Sequence, residues 1–492
     1  MDNAFLSSTL VAGVISVFIY SWYYSKNKIP LPPGPLGLPL LGSALELRKV
    51  DAFWLKFAEY ANQFGPIITV KILHKQHIVI SDPELACELF EKRGANYSDR
   101  RISEMIKLTG YDRTIAQLQN GPLLRHYRAM LHRELNNRAV MSYLPLQYQE
   151  VRKFMRRLVE KPTNFLEAAR LMSSSVFIRI AYGYEVKSDD DHFIRNAKLA
   201  TAGFSETMQP TRWAVDIFPP LRYLPEWFPL ASFHRRAQHL KHLEAVHREE
   251  PFTYLENQMV EGTAEPSFAS KLLQQEDGKP ISAEDREHIK YLASALYAGG
   301  AGNTTSALES FFLAMTLYPD VQAKAQAELA AYLEQSAFEG RSSRMISYED
   351  RPNLPYTSAI VRELYRWHPS LHMTGHQSSS EDDTVISRGR VYRIPARSFV
   401  IVNMWKIMHN PKVYPEPSRF MPERYLVANP PPEPENYAFG FGRRICPGIA
   451  TTQQTLWIAI SNVLANFYIR KFKDENGVEI TPEERYSTDL SR

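Results

Sequence analysis

Residues 437–450 read YAFGFGRRICPGIA. Cys446 follows a glycine-rich loop and precedes an apolar run, Ile449 through Ile469, whose pattern predicts a helix with the cysteine near its N-terminus. Helix-end N–H donors and the neighbouring Arg443 and Arg444 would lower the thiol pKa and favour a thiolate. Phe439 can shield one side of the sulfur, and Gly440, Gly442 and Gly448 let backbone N–H groups approach it. A lone cysteine is ordinarily a small core residue. In this setting the residues support a thiolate that faces a bulky partner, and nothing finer.

Outward from that loop, the composition narrows the class. The chain has 492 residues and only two cysteines, Cys87 and Cys446. That excludes a disulfide framework and any zinc or iron–sulfur site needing three or four cysteine ligands. Lys plus Arg is 58 against 54 Asp plus Glu, a net charge of +4 too small at this length to announce a nucleic-acid binder. Amphipathic helical stretches dominate, among them 51–62, 123–135, 145–160 and 185–205. Strand signals are few and short: Ile67–Leu73, His77–Ile80 and Ser398–Val402. The balance predicts a mainly α domain with small β-sheets rather than a doubly wound α/β fold. Gly299, Gly300 and Gly302 cluster, but no phosphate-cradling GxGxxG or GxxxxGK pattern surrounds them.

Those glycines sit inside a predicted helix of more than thirty residues. Ser282, with Asp285 three residues on, makes a capping-box-like start, and Pro319 stops the pattern. Each interior glycine costs roughly 0.5–1 kcal/mol against alanine. Either close helix packing or a bulky group against the backbone would offset that. In SAIVRELYRWHPSL (358–371), Glu363 and Arg366 share one helical face whose flanks are apolar. Arg424, in PEPSRFMPERYL (415–426), can complete a Glu–Arg–Arg network.

At the amino terminus, residues 5–24 (FLSSTLVAGVISVFIYSWYY) carry no charge and match a hydrocarbon core of about 30 Å. Lys26 and Lys28 on the C-terminal flank favour a cytoplasmic body. Residues 25–42 form a Pro-rich hinge that cannot be helical. The expected organisation is an anchor over 5–24, the hinge over 25–42 and one catalytic domain over 43–492.

Phe439, Gly442, Arg444, Cys446 and Gly448 complete the pattern FxxGxRxCxG, which resembles the haem-binding loop of the cytochrome P450 family. Glu363–Arg366 resembles that family's ExxR element, and Pro422–Tyr425 its PERF element. The likeness spans essentially the whole chain. With LPPGPLGLPLLG (31–42), YSDR (97–100) and HNPKVYPEPSRF (409–420), it is nearest to microsomal fungal, basidiomycete-like enzymes of secondary metabolism.

The resemblance implies haem b with Cys446 as axial thiolate ligand to the iron. It implies Arg444 and Arg128 at the propionates, with Arg125 or His126 as lesser helpers. Phe439 and Gly440 would lie by the sulfur, and Glu363, Arg366 and Arg424 would form a structural network. The helix 282–318 would cross the distal face, its glycines admitting porphyrin, oxygen and substrate. There the sequence departs from the family's [A/G]Gx[D/E]T[T/S]. With Thr305 as the key alcohol, Thr304 stands where the acid should be. With Thr304 as the alcohol, Asn303 does. Neither substitute titrates, so the usual acid–alcohol relay is incomplete. Leu124 replaces the Trp that usually precedes Arg128. The stretch 371–376 lacks the usual Pro and is expected to border the substrate cavity, with Met105, Phe204, Met208, Leu296 and the turn near Thr488 as further wall residues.

The implied activity is NADPH- and O2-dependent oxidation, typically hydroxylation, of a lipophilic small molecule. The implied partners are a membrane-bound NADPH–cytochrome P450 reductase, met by Arg125, Arg133 and Arg443, and the bilayer of the endoplasmic reticulum, with no nucleic acid. Two rivals remain: the same fold catalysing desaturation, ring formation or a non-oxygenating rearrangement, and a non-catalytic haem-binding membrane protein.

Overall fold

Helices form where apolar residues recur at helical spacing and a polar residue caps the start. In this computed structural model, residues 29–73, 75–209, 212–229, 231–274, 281–339, 345–378 and 381–484 are described. The longer helices are α1 (Phe53–Phe64), α2 (Pro122–Leu135), α3 (Leu144–Glu160), α4 (Phe165–Tyr182), α5 (His192–Met208), α6 (Ser232–Glu261), α7 (Ala283–Leu317), α8 (Pro319–Phe338), α9 (Pro355–Trp367) and α10 (Ile449–Asn466). The expected 51–62, 123–135 and 145–160 match α1 to α3 within two residues at each end.

The expected helix 185–205 starts late, at His192. Asp191 accepts from the amides of Phe193 (2.9 Å) and Ile194 (3.4 Å), and Tyr184 holds its other oxygen, so the cap fixes the start there. Neither α4 nor α6 was expected. The first is apolar nearly all round because it runs through the core, so it carries no one-sided signal. The second runs through the buried Pro251, which a sequence reading takes as a stop.

The α7 boundary matches its caps: Ser282 Oγ accepts from the Asp285 amide at 3.0 Å, and Pro319 opens α8. The helix packs along α4 and also meets α9 and α10. Gly300 is where α7 and α4 press together. A Cβ there would lie 2.1 Å from the Phe177 ring, so this glycine serves helix packing. At Gly299 a Cβ would meet nothing within 4 Å, so here the helix faces open space.

The principal sheet has the order β1 (Ile67–Ile72), β2 (Lys75–Ile80), β6 (Phe399–Asn403), β3 (Met373–Gln377). β1–β2 and β6–β3 are antiparallel, and β2–β6 is parallel. A hairpin joins β4 (Asp383–Ser387) to β5 (Arg390–Ile394) through Arg388 and Gly389, both at positive φ, the turn that matches strand twist. A short pair, β7 (Phe472–Lys473) and β8 (Glu479–Ile480), lies near the C-terminus. The expected strands are β1, β2 and β6. The sequence of β3, MTGHQ, shows no apolar alternation and was not expected.

The later part of the hinge is not a free connector. The Thr69 amide donates to the Pro33 carbonyl at 2.9 Å and the Arg393 amide to that of Pro30 at 2.8 Å, so the Pro-rich strand is tied to the sheet. Gly34 permits this, since a Cβ would sit 1.9 Å from the Thr69 carbonyl oxygen. The expected anchor, 5–24, lies outside the described residues, as does Thr488. Among the described residues no helix is long and apolar enough to cross a membrane.

Candidate active site

The loop before α10 is built around its glycines. Gly442 has φ +53°, and a Cβ there would lie 1.9 Å from the Phe90 carbonyl oxygen, so no other residue lets the loop seat so closely. The Cys446 amide donates to the Phe439 carbonyl at 2.8 Å, which closes the loop beneath the sulfur. The Gly440 amide donates to Tyr437 rather than towards the sulfur, so this residue's role is its left-handed turn at φ +78°. Burial pushes the Cys446 thiol up, while the Gly448 amide and Arg128 pull it down. The expected influence of Arg443 and Arg444 is absent from that balance: Arg443 lies exposed, and Arg444 spends its donors on the carbonyls of Ser98, Ile115 and Leu118. The polypeptide alone therefore does not set a thiolate here, whereas coordination deprotonates a thiol outright. Phe439 turns its ring to Tyr365, with centroids 5.1 Å apart.

Below this loop lies the expected ion network. Arg366 donates to both carboxylate oxygens of Glu363, at 2.8 Å each, and Arg424 Nε donates to Glu363 Oε1 at 3.2 Å. The side chains of Glu363 and Arg366 are fully buried and that of Arg424 is 3% exposed. Arg366 also donates to the carbonyls of Met408 (3.1 Å), Pro417 (2.8 Å) and Arg419 (3.2 Å). The Met421 amide donates to Glu363 Oε1 at 2.9 Å. One carboxylate thus ties α9 to the irregular segment 408–424 that leads into the cysteine loop.

On the other side of the loop, cations converge. Arg444 donates to the carbonyls of Ser98 (2.7 Å) and Ile115 (3.2 Å) and to that of Leu118. Burial, then Arg100, pulls its guanidinium down to about 9. Burial likewise pulls Arg100 down to about 10. Among the described residues neither pairs with a carboxylate. His376, on β3, feels both arginines and has a buried Nδ1 with no hydrogen-bond partner among the described residues. Arg128 donates to the Ile445 carbonyl at 2.5 Å. Half-buried guanidinium groups without a carboxylate partner suit a ligand that carries carboxylates. Arg100 and His376 were missed as members of this set. Only the topology, which lays β3 beside the segment after Ser98, brings them to Arg444.

His126 is not part of the cationic set. Two residues before Arg128 on α2, it turns instead to Asp285 of α7 at 3.2 Å, and Arg125 is exposed. In place of the usual Trp, Leu124 is buried at 3% exposure. Within the stretch 371–376, Leu371 is exposed, Met373 to Gly375 are half-buried and the two histidines are buried. His372 stacks on Trp54 at 4.0 Å and meets His368 at 3.1 Å, and residues 373–377 are a sheet strand. Met105 is completely buried in a separate cluster with Val215, Phe233 and Leu240, and Leu296 belongs to the main core. Phe204 and Met208 remain half-buried on α5.

Along α7, Thr305 Oγ1 donates to the Ala301 carbonyl at 2.8 Å. Thr304 is fully buried, with no partner for its hydroxyl among the described residues. Asn303 Nδ2 donates to the Gly299 carbonyl at 2.8 Å and leaves Oδ1 buried without a partner among the described residues. A groove of about 580 Å³ opens beside Cys446, lined by Arg128, His132 and Arg138 on one wall and Ile445, Pro447 and Ala450 on the other.

Known proteins resemble this chain over nearly its whole length. The family model described as Cytochrome P450 matches residues 32–487. A cytochrome P450 monooxygenase of Armillaria gallica is 34% identical over 99% of this chain and 94% of its own length. One of Coprinopsis cinerea is 34% identical over 98% and 91%, and one of Gibberella zeae 34% over 98% and 91%. With the glycine-built cysteine loop, the buried Glu–Arg–Arg network and a match across nearly the full length, the chain belongs to the cytochrome P450 family of haem–thiolate enzymes.

Proposed function

We propose that this chain is an NADPH-dependent monooxygenase that oxidises a lipophilic small molecule of fungal secondary metabolism, with Cys446 as the haem ligand. The observation that carries the reading is the pairing of the cysteine loop with Arg444 and Arg100, cations that lack a carboxylate among the described residues. Arg444, Arg100, Arg128 and His376 would hold the two propionates, and Cys446 the iron. Haem supplies the oxygen chemistry, and the thiolate pushes electron density that favours O–O cleavage. The chain's own part is placement. The Glu363 network fixes the loop, Phe439 packs beside it, and Gly299 leaves open space along α7. The Thr305 hydroxyl, held by Ala301, can orient a water that passes protons inward.

The groove beside Cys446, lined by Arg128, His132 and Arg138, together with the exposed Arg125, Arg133 and Arg443, suits the acidic face of a reductase. Two exposed apolar segments support contact with a membrane, and the expected anchor would make it that of the endoplasmic reticulum with the body on the cytoplasmic side. Leu36 and Leu40 stand out from the Pro-rich strand, and Phe218, Tyr223 and Trp227 from the turn after α5. The Leu73 amide bonds Leu41, and Lys75 influences Asp216, so the two segments share a side of the molecule.

The test is a reduced, carbon monoxide-treated spectrum of the full chain, followed by turnover with a reductase and NADPH. A red-shifted Soret band and oxygen-dependent product are expected. A band only at the shorter-wavelength position, never restored by gentler preparation, would overturn the reading. A second expectation concerns α7. Thr304→Asp restores an acid next to the alcohol and should raise product formed per NADPH several-fold, while Asn303→Asp should not. Unchanged coupling in both variants would remove proton delivery as the consequence of the missing acid.

A further inference from the structure

Outside the cysteine site, two helix starts bring together an unassigned set of ligand atoms. His126 lies in the first turns of α2, and Asp285 and His288 lie in the first turns of α7. His126 Nε2 is 3.2 Å from Asp285 Oδ1, and His288 Nδ1 is 3.7 Å from the same oxygen. One ligand atom from each residue falls within 4.8 Å of the others. The two imidazole rings are 5.4 Å apart between centroids. We propose that His126, Asp285 and His288 bind a divalent cation of the zinc class, which pins the start of α2 to the start of α7.

The geometry fits that ion with small side-chain adjustments. Bonds of about 2.0–2.2 Å in a tetrahedron place ligand atoms about 3.2–3.6 Å apart. Both contacts to Asp285 are already near that spacing, and the two histidines need only close on each other. Asp285 and His288 are three residues apart, so one helical face presents both. The surroundings orient the donors as metal sites require. Ser282 Oγ donates to Asp285 Oδ2 at 2.9 Å and leaves Oδ1 for the ion. That bond, then the one from His126, holds the Asp285 carboxyl below its ordinary range, so it is ionised at neutral pH. Tyr127 packs edge-on against His288, with centroids 5.2 Å apart, and fixes its ring plane.

One atom is otherwise unexplained. His288 Nδ1 is buried and has no hydrogen-bond partner among the described residues. A simple His126–Asp285 ion pair leaves it orphaned, whereas a cation satisfies it. Glu284 Oε1, 3.9 Å from His288 Nε2, adds negative charge nearby and, with Asp285, offsets the positive potential of the helix start. His126 is exposed, which gives the ion a path from solvent and leaves the fourth position to water. Two imidazoles and one carboxylate select zinc, nickel or copper over magnesium or calcium, which require oxygen-rich shells. Occupancy would stiffen the join between α7, which carries Thr305, and α2, whose Arg128 reaches the carbonyl beside Cys446.

The test uses the full-length, haem-loaded protein stripped of adventitious metal and titrated with zinc chloride by calorimetry. Uptake of one equivalent and a raised melting temperature are expected, with no response to magnesium or calcium chloride. His126→Ala and His288→Ala should each weaken the uptake about 100-fold or more, since even outer-shell partners of a metal are worth 10–100-fold. His239→Ala, an exposed histidine of α6, should leave it unchanged. His126→Ala removes only an exposed side chain and decides the matter alone if His288→Ala fails to fold. Absence of saturable zinc uptake, or uptake equally strong in His126→Ala, would overturn the proposal.

Discussion

Cys446→Ser is expected to abolish the red-shifted carbon monoxide band and to cut product formation by at least about 100-fold, the upper end of what losing a mere supporting partner of a metal ligand costs. The substitution replaces sulfur by oxygen in a loop whose shape it does not determine. The backbone amide at 446 still donates to Phe439, Gly442 still seats on the Phe90 carbonyl, and Arg128 still reaches Ile445. What is lost is the one atom able to become a thiolate there. The polypeptide does little to stabilise that anion in advance, because burial pushes the thiol up. The serine hydroxyl, far harder to ionise, has no route to the same state. Cys87→Ser is the control. It is the only other cysteine, and it sits in the helix Pro83–Cys87, half-buried and also pushed up by burial. A red-shifted band retained in Cys446→Ser and lost in Cys87→Ser would move the ligand and overturn the site. Both variants should melt close to the parent when free of haem, which separates loss of ligation from loss of fold.

How much of this was legible in the sequence depends on whether the signal was local. The cysteine loop, the Glu363–Arg366 spacing and the caps of α7 are each contained in one short segment, and the structure places them as expected. Arg424 was legible as a partner only because a second short motif carried it. The missed features are those that exist only after folding. Helix α4 is apolar on all sides because other helices surround it, so its own sequence has no face to read. Gly300 looked like part of an opening for a cofactor, yet the Phe177 ring, more than a hundred residues earlier, fills the space beside it. Arg100 and His376 join Arg444 through the fold, and the two histidines of 371–376 turn to Trp54, His368 and the cation cluster, partners that lie outside their own segment or appear only on folding. The same holds for His126, whose partner lies 159 residues further on.

Glu363→Ala should be as damaging to the protein as Cys446→Ser is to its chemistry. The carboxylate is fully buried and balances two guanidinium groups that are themselves buried. Removing it leaves Arg366 and Arg424 charged and desolvated, a change that costs about 3–5 kcal/mol when one partner of a buried pair is deleted. That is a large part of the 5–15 kcal/mol by which domains are typically stable. The expected result is little or no haem-loaded protein, with any survivor showing the shorter-wavelength band and a lowered melting temperature. Glu363→Gln should be milder. It keeps an oxygen for Arg366 and for the Met421 amide but loses the charge and one acceptor. An apolar exchange of the ion pair can be neutral in other settings. Glu363→Leu combined with Arg366→Met should not rescue here, because Arg366 also satisfies the carbonyls of Met408, Pro417 and Arg419. Its removal leaves those acceptors buried without a donor and frees segment 408–424 from α9, and Arg424 still lacks its carboxylate. Arg366→Lys tests the same point differently, since a single ammonium cannot span the two carboxylate oxygens and three carbonyls that the planar guanidinium fork reaches. If the double variant retained haem and melted near the parent, the network would be an ordinary ion pair rather than the clamp that positions the cysteine loop.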